Sequence, residues 1–324
     1  MRTIRAVKYA ALLAAVNAAG LNAQVKEQPP AAGAPRDFKL PAKKSFTLAN
    51  GMKVSLIPFG AIPKVDVQLV VRAGNVDEGP NEVWLADLMG DLMREGTTSK
   101  TTTELNLAAA SIGGAFNVSV SPDETTVSGS ALAEYGNDIV KLVADVAQHP
   151  RFPESELARL RASRLRTLAL SKSQPQSLAQ EKFQAVLFPD HPYGRVFPTE
   201  PMLQGYTVQQ IKDFYGKHFH ASRAHLLIAG QFDANAIEQT IRSAFAAWPA
   251  GTARAPSPPK PVAKRAVYII DRPGAVQSSM YVGVPSLDPS HADFVGLQVT
   301  NTLLGGAFAS RITKNIREDK GYTY

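Results

Sequence analysis

The chain has 324 residues, enough for about two domains, and 44% of them are hydrophobic against 19% charged, a balance that supports packed cores rather than disorder. It contains no cysteine, which excludes disulfide scaffolds, thiolate metal sites and cysteine nucleophiles. The net charge of +7, from 35 basic against 28 acidic residues, is spread thinly over this length, so no nucleic-acid partner is expected.

Arg2, Arg5 and Lys8 precede an apolar run over 9–19 that gives way to small residues. Residues 1–23 therefore read as a secretory signal peptide, and 24–44, rich in Pro, Ala and Lys, as a flexible leader. A secreted protein of the bacterial periplasm is expected. The apolar run is shorter than the roughly 20 residues that cross a bilayer, and no later stretch reaches that length, so no membrane span is expected.

Residues 46–58 alternate around Asn50-Gly51, a hairpin pattern, and 65–71 read as another strand closed by Ala73-Gly74. Trp84, Leu85, Leu88, Leu92 and Met93 recur at helical spacing up to Gly96, and a second helix over 101–112 stops at Gly113-Gly114. Strands follow at 115–120 and 125–132, then helices at 135–148, 154–171 and 177–187. After a Pro/Gly-rich stretch over 191–199 come a helix at 208–218, a strand at 224–230 and a helix at 234–247. These elements form a first domain over 45–248.

Residues 249–263 contain five prolines and read as an interdomain linker. Past them the opening pattern returns, with predicted strands at 267–270 and 279–284 and a helix over 294–304 ending at Gly305-Gly306. Phe294 and Gly306 stand in the places of Trp84 and Gly96, as in a duplicated unit. Residues 264–324 are too few for a second copy, and the chain stops in a strand-like run at Tyr322-Thr323-Tyr324. They are expected to be the start of a second, truncated domain.

In this order the motifs resemble the pitrilysin/insulinase zinc metallopeptidases. The resemblance rests on His191-Pro192-Tyr193-Gly194 with Thr199-Glu200, on Arg223–Gly230 followed by Phe232-Asp233, and on Gly113-Gly114 with Asn117. In the second unit it rests on Leu304-Gly305-Gly306 with Ser310-Arg311, and on the run from Arg317 to Tyr324. It implies an α+β fold of duplicated domains, each an antiparallel sheet backed by helices. It also implies a closed chamber in which unstructured peptides add to an edge strand, here at Asn117 and Val118, and are cut at zinc.

The zinc helix of that family reads His-x-x-Glu-His, with two ligands one turn apart and a glutamate that activates the bound water. The matching positions here are Asp87, Gly90 and Asp91, and the family's third ligand, a glutamate on a later helix, falls at Arg166 and Thr167. No cofactor is expected on this chain, and zinc is expected in a partner. An ion pair of Asp87 or Asp91 with Arg166 is expected to fill the vacated pocket. The other arginines of that helix, Arg159, Arg161 and Arg164, read as a solvated face, and His218, His220 and His225 as structural.

The resemblance further implies that an arginine and a tyrosine seven residues apart reach a zinc site across the chamber to hold the substrate carbonyl and the developing oxyanion. Arg317 and Tyr324 keep that spacing, with Tyr322 as a second hydroxyl. The expected role is a non-catalytic subunit that pairs with a homologous zinc-bearing peptidase subunit and supplies this pair to its active site. The alternative is a peptide-binding or structural protein that kept the fold without catalysis.

Overall fold

In the computed structural model the described residues are Gly33 and 39–324, apart from 256. The signal-peptide reading and most of the leader lie outside them. Residues 44–248 are built on a six-stranded sheet in the order β1-β2-β6-β3-β5-β4. Its strands are β1 (Lys44–Thr47), β2 (Lys53–Pro58), β3 (Lys64–Val71), β4 (Ala115–Val120), β5 (Thr125–Leu132) and β6 (Ala224–Gly230). The β1–β2 hairpin closes through Gly51, whose φ of 88° is the left-handed conformation that glycine adopts without strain.

Every neighbouring pair is antiparallel except β2 and β6, which run parallel. β6 arrives after a long helical excursion and inserts between β2 and β3, so a sheet expected to be antiparallel throughout carries one parallel seam. β3 alternates strictly: Val65, Val67, Leu69 and Val71 are fully buried, while Lys64, Asp66 and Gln68 face outward. That period of two places one apolar face against the helices and leaves the other open.

The helices are α1 (Leu85–Met93), α2 (Thr102–Ser111), α3 (Gly136–Gln148), α4 (Glu154–Ser173), α5 (Pro175–Leu187), α6 (Glu200–Gly205), α7 (Val208–His218) and α8 (Ala234–Ala244). Among these eight helices the short α6 is the one that the periodicity does not announce. α2 and α7 begin with capping boxes, Thr101 with Glu104 and Thr207 with Gln210. α1 is buried along nearly its whole length, between β4, α4 and α7.

Residues 264–324 differ from expectation. Segments 267–270 and 279–284 form no strands, and Val267, Ile269, Val282 and Val284 are exposed. A strand exists through a ladder with a neighbour, and no described residue pairs with either segment. The expected helix is α9 (Phe294–Asn301), continued by a π-helical turn over Thr302–Gly306.

Candidate functional site: a charged plug on the α1 helix

Asp87 and Asp91 lie four residues apart on α1 and so share one face of the helix. Against that face α4 presents Arg164, whose Nη1 donates to Asp87 Oδ1 at 3.0 Å and whose Nε donates to Asp91 Oδ2 at 2.6 Å. Arg94 Nη2 donates to the second oxygen of Asp91 at 2.6 Å, and Asn75 Nδ2 to the second oxygen of Asp87 at 2.8 Å. All four carboxylate oxygens are thus occupied.

The guanidinium on this face belongs to Arg164, which corrects the expected Arg166. Two residues along a helix turn the side chain through about 200°, so with Leu157, Leu160 and Leu168 facing the core, Arg166 points to solvent. Thr167 is likewise exposed and donates its hydroxyl to Ser163 O at 3.2 Å. The expected solvated basic face is also mostly engaged. Arg159 pairs with Glu95 and Glu156, and Arg161 donates to Gln204 O and Tyr206 O.

The charges balance unevenly. Burial pushes the Asp87 carboxyl up, against the pull of the Arg164 cation and the Asn75 amide. Burial also works against the charge on Arg164, but its bonds to Asp91 and the charge of Asp87 outweigh it and hold the guanidinium protonated.

Gly90 lies between the two aspartates, and a Cβ there would meet Val120 Cγ2 on β4 at 2.7 Å. The space into which a side chain at position 90 would project is therefore filled by the edge strand. Beside the plug, Glu78 accepts hydrogen bonds from Trp84 N–H, Ala86 N–H and Asn75 Nδ2, fixing the start of α1. Burial pushes the Glu78 carboxyl up to about 8, opposed by those same three donors. Trp84, in the left-handed region at φ 69°, donates its indole N–H to Val196 O and packs edge-on against Phe197.

The edge strand β4 borders this site, and its outer side has no ladder partner among the described residues. Asn117 faces outward from it, while the Val118 side chain is buried against α1. Arg317 and Tyr324 lie elsewhere. Arg317 sits in the π-helical run Lys314–Asp319 with its guanidinium 4.7 Å from the centre of the Phe308 ring, Tyr324 is almost fully exposed, and Tyr322 is exposed with Lys320 over its ring. His218 ends α7 beside Asp77, and His225 Nε2 lies 3.0 Å from Ser55 Oγ on the open face of the sheet.

Two family models match the chain in sequence: "Insulinase (Peptidase family M16)" over residues 61–197 and "Peptidase M16 inactive domain" over 205–324. The chain belongs to peptidase family M16. Among relatives of this M16 chain, an uncharacterized zinc protease of Rickettsia bellii is 25% identical over 86% of the chain and 67% of its own length. The crystal structure of a peptidase M16 inactive domain from Pseudomonas fluorescens superposes with a TM-score of 0.74 at 24% identity, over 87% of this chain and 69% of that one. A protease from Helicobacter pylori superposes with a TM-score of 0.70 at 18% identity, over 87% and 70% respectively. The M16 chain thus spans about two thirds of the length of these relatives, with their fold.

Zinc fits this site poorly on the chemistry of its donors. Both carboxylates are committed to arginines, a zinc cation between them would face the Arg164 guanidinium directly, and Gly90 offers no base. Among the described residues no group of three or more His, Asp or Glu side chains could hold a metal ion.

Two of the groups that build the site, Asn75 and Glu78, carried no sequence signal, since both act through contacts made only in the fold. Arg164 was visible as one of a run of basic residues, but nothing in the run distinguished it from Arg166.

Proposed function

We propose that this chain is a non-catalytic subunit of an M16 peptidase. It pairs with a homologous zinc-bearing chain in the bacterial periplasm and helps to enclose unstructured peptides. The observation that carries the reading is the Arg164 plug. The positions from which an M16 zinc helix would present its ligands are held in an ion-paired network, and the position of the base is closed by Val120. A chain with such a site contributes surface and contacts rather than metal chemistry.

In this reading β4 remains available for a peptide to add as a further strand at Asn117 and Val118, where backbone hydrogen bonds give affinity with little sequence demand. Arg317 and Tyr324 supply donors to the partner's zinc site, where stabilising the developing oxyanion is worth several kcal/mol. Zinc and general base come from the partner.

The test is co-expression with the zinc-bearing M16 homologue of the same genome, followed by co-purification and assay on an unstructured peptide. The pair is expected to turn peptide over, and Arg317→Ala to lower kcat on the order of a hundredfold without dissociating it. Peptide binding by this chain with no such partner and no turnover would favour the purely peptide-binding reading. Undiminished turnover in Arg317→Ala would remove the role given to that residue.

A further inference from the structure

The Pro-rich segment between the two units does not run free of the first domain. Ala221 N–H and Ser222 N–H donate to Pro249 O and Ala250 O, each at 3.0 Å, and Arg223 Nε donates to Thr252 O at 3.2 Å. Further on, His191 Nε2 lies 3.3 Å from Ser257 O, and Val262 N–H donates to Leu187 O at 2.8 Å. Its middle is held by charge. Arg254 Nε lies 3.8 Å from Asp77 Oδ1, its Nη2 3.7 Å from Asp123 Oδ1, and its Nη1 donates to Asp123 O at 3.1 Å.

Asp77 is the centre of this arrangement. Its side chain is only 9% exposed, and the same Oδ1 meets Arg223 Nη1 at 3.1 Å and His218 Nδ1 at 3.7 Å. The other oxygen accepts from Gly74 N–H at 3.2 Å. Asp123, on the β4–β5 turn, is tied in turn to Tyr193, whose hydroxyl donates to Asp123 Oδ2 at 2.7 Å. Two arginines thus converge on one buried carboxylate, one from the domain and one from the linker. Arg223 pairs Asp77 from within the domain, and Arg254 adds a second cation to the buried carboxylate together with its own bond to Asp123 O, which favours keeping the linker there.

We propose that Asp77 and Asp123 form a clasp that fastens the linker at Arg254 to the first domain, so that the second unit leaves along one fixed path instead of on a free tether. The composition of 249–263 alone would suit a semi-rigid spacer with no preferred direction. The clasp supplies the direction. It joins the linker to the turn that also carries Asn75, the amide that holds Asp87, so linker and plug are anchored on the same short segment. The inference does not depend on the subunit role proposed above.

Limited trypsin digestion of the whole chain, with fragments assigned by mass spectrometry, tests it. Trypsin cuts after Arg254, Lys264 and Arg265, none of which is followed by proline, and the last two are exposed beyond the clasp and serve as an internal reference. Cleavage follows the population in which a site is open. In the parent, cleavage after Arg254 is expected to lag that after Lys264 on the order of tenfold or more. Asp77→Asn is expected to bring the two near parity, and Asp123→Asn to raise cleavage after Arg254 severalfold. Circular dichroism checks that each variant is folded. Should Asp77→Asn fail to fold, Asp123→Asn decides, because Asp123 is half exposed on a turn. Cleavage after Arg254 at the reference rate in the parent, or an unchanged ratio in the folded variants, would overturn the clasp.

Discussion

Replacing Arg164 by alanine removes the cation shared by Asp87 and Asp91 and leaves two carboxylates one turn apart on a buried helix. Taking one partner from a buried ion pair costs about 3–5 kcal/mol, because the other charge stays behind unpaired. Asp91 keeps its 2.6 Å bond from Arg94, whereas Asp87 keeps only the neutral Asn75 amide, so the loss falls chiefly on Asp87. A cost near the lower end, about 3 kcal/mol, follows. For a domain of this size that is a fall in Tm of roughly 6–12 °C.

The pH dependence has a definite sign. Burial already holds the folded Asp87 above its ordinary value of 3.8, and loss of Arg164 raises it further. A carboxyl raised on folding destabilises progressively as pH climbs from its unfolded value through its folded one. The deficit of Arg164→Ala relative to the parent should therefore shrink toward pH 4 and widen toward pH 7. Thermal melts followed by tryptophan fluorescence, with Trp84 beside the site, measure it. Adding Asp87→Asn to Arg164→Ala should recover about half of the loss, since the orphaned charge is gone. Melting within 2 °C of the parent at pH 7, or a deficit independent of pH, would refute the plug as a structural ion pair.

Gly90→Glu should not yield a peptidase. Its Cβ would press on Val120 Cγ2 at 2.7 Å, costing about 1–3 kcal/mol of stability, and Gly90→Glu with Val120→Ala should regain most of that in urea melts while remaining inactive on peptide. His218, pushed down to about 4 chiefly by burial and by Arg223 and Lys217 against the pull of Asp77 and Glu82, makes stability fall as pH drops from 6.5 toward 4. His218→Gln should flatten that limb of the stability–pH curve, and an unchanged slope would assign the acid sensitivity to other groups. Zinc added to the isolated chain at 100 µM should shift Tm by less than about 1 °C, because binding to the folded state alone would raise it measurably. One tightly held zinc per chain by metal analysis would contradict the reading of Asp87, Gly90 and Asp91.

Much of the fold over 44–248 follows from local rules. Alternation in β3 and β5, the Asn50-Gly51 turn, the capping residues Thr101 and Thr207 and the amphipathic period of α3 are all written within a few residues of where they act. The face shared by Asp87 and Asp91 is legible for the same reason, since a spacing of one helical turn is a local property. Tertiary structure alone decided which arginine answers those aspartates. Arg164 and Arg166 differ by two positions, and only the rotation of α4 against α1 turns one inward and the other to solvent. It also decided that β6 slots in parallel between β2 and β3, that Val120 closes the space at Gly90, and that Asp77 gathers Arg254 from a linker well over a hundred residues away. Each is a contact between segments distant in sequence, whose meeting is set by the packing of whole elements. The apolar pattern at 267–270 and 279–284 makes the converse point: a strand-like sequence is only half of a strand, and the other half is a neighbour to pair with.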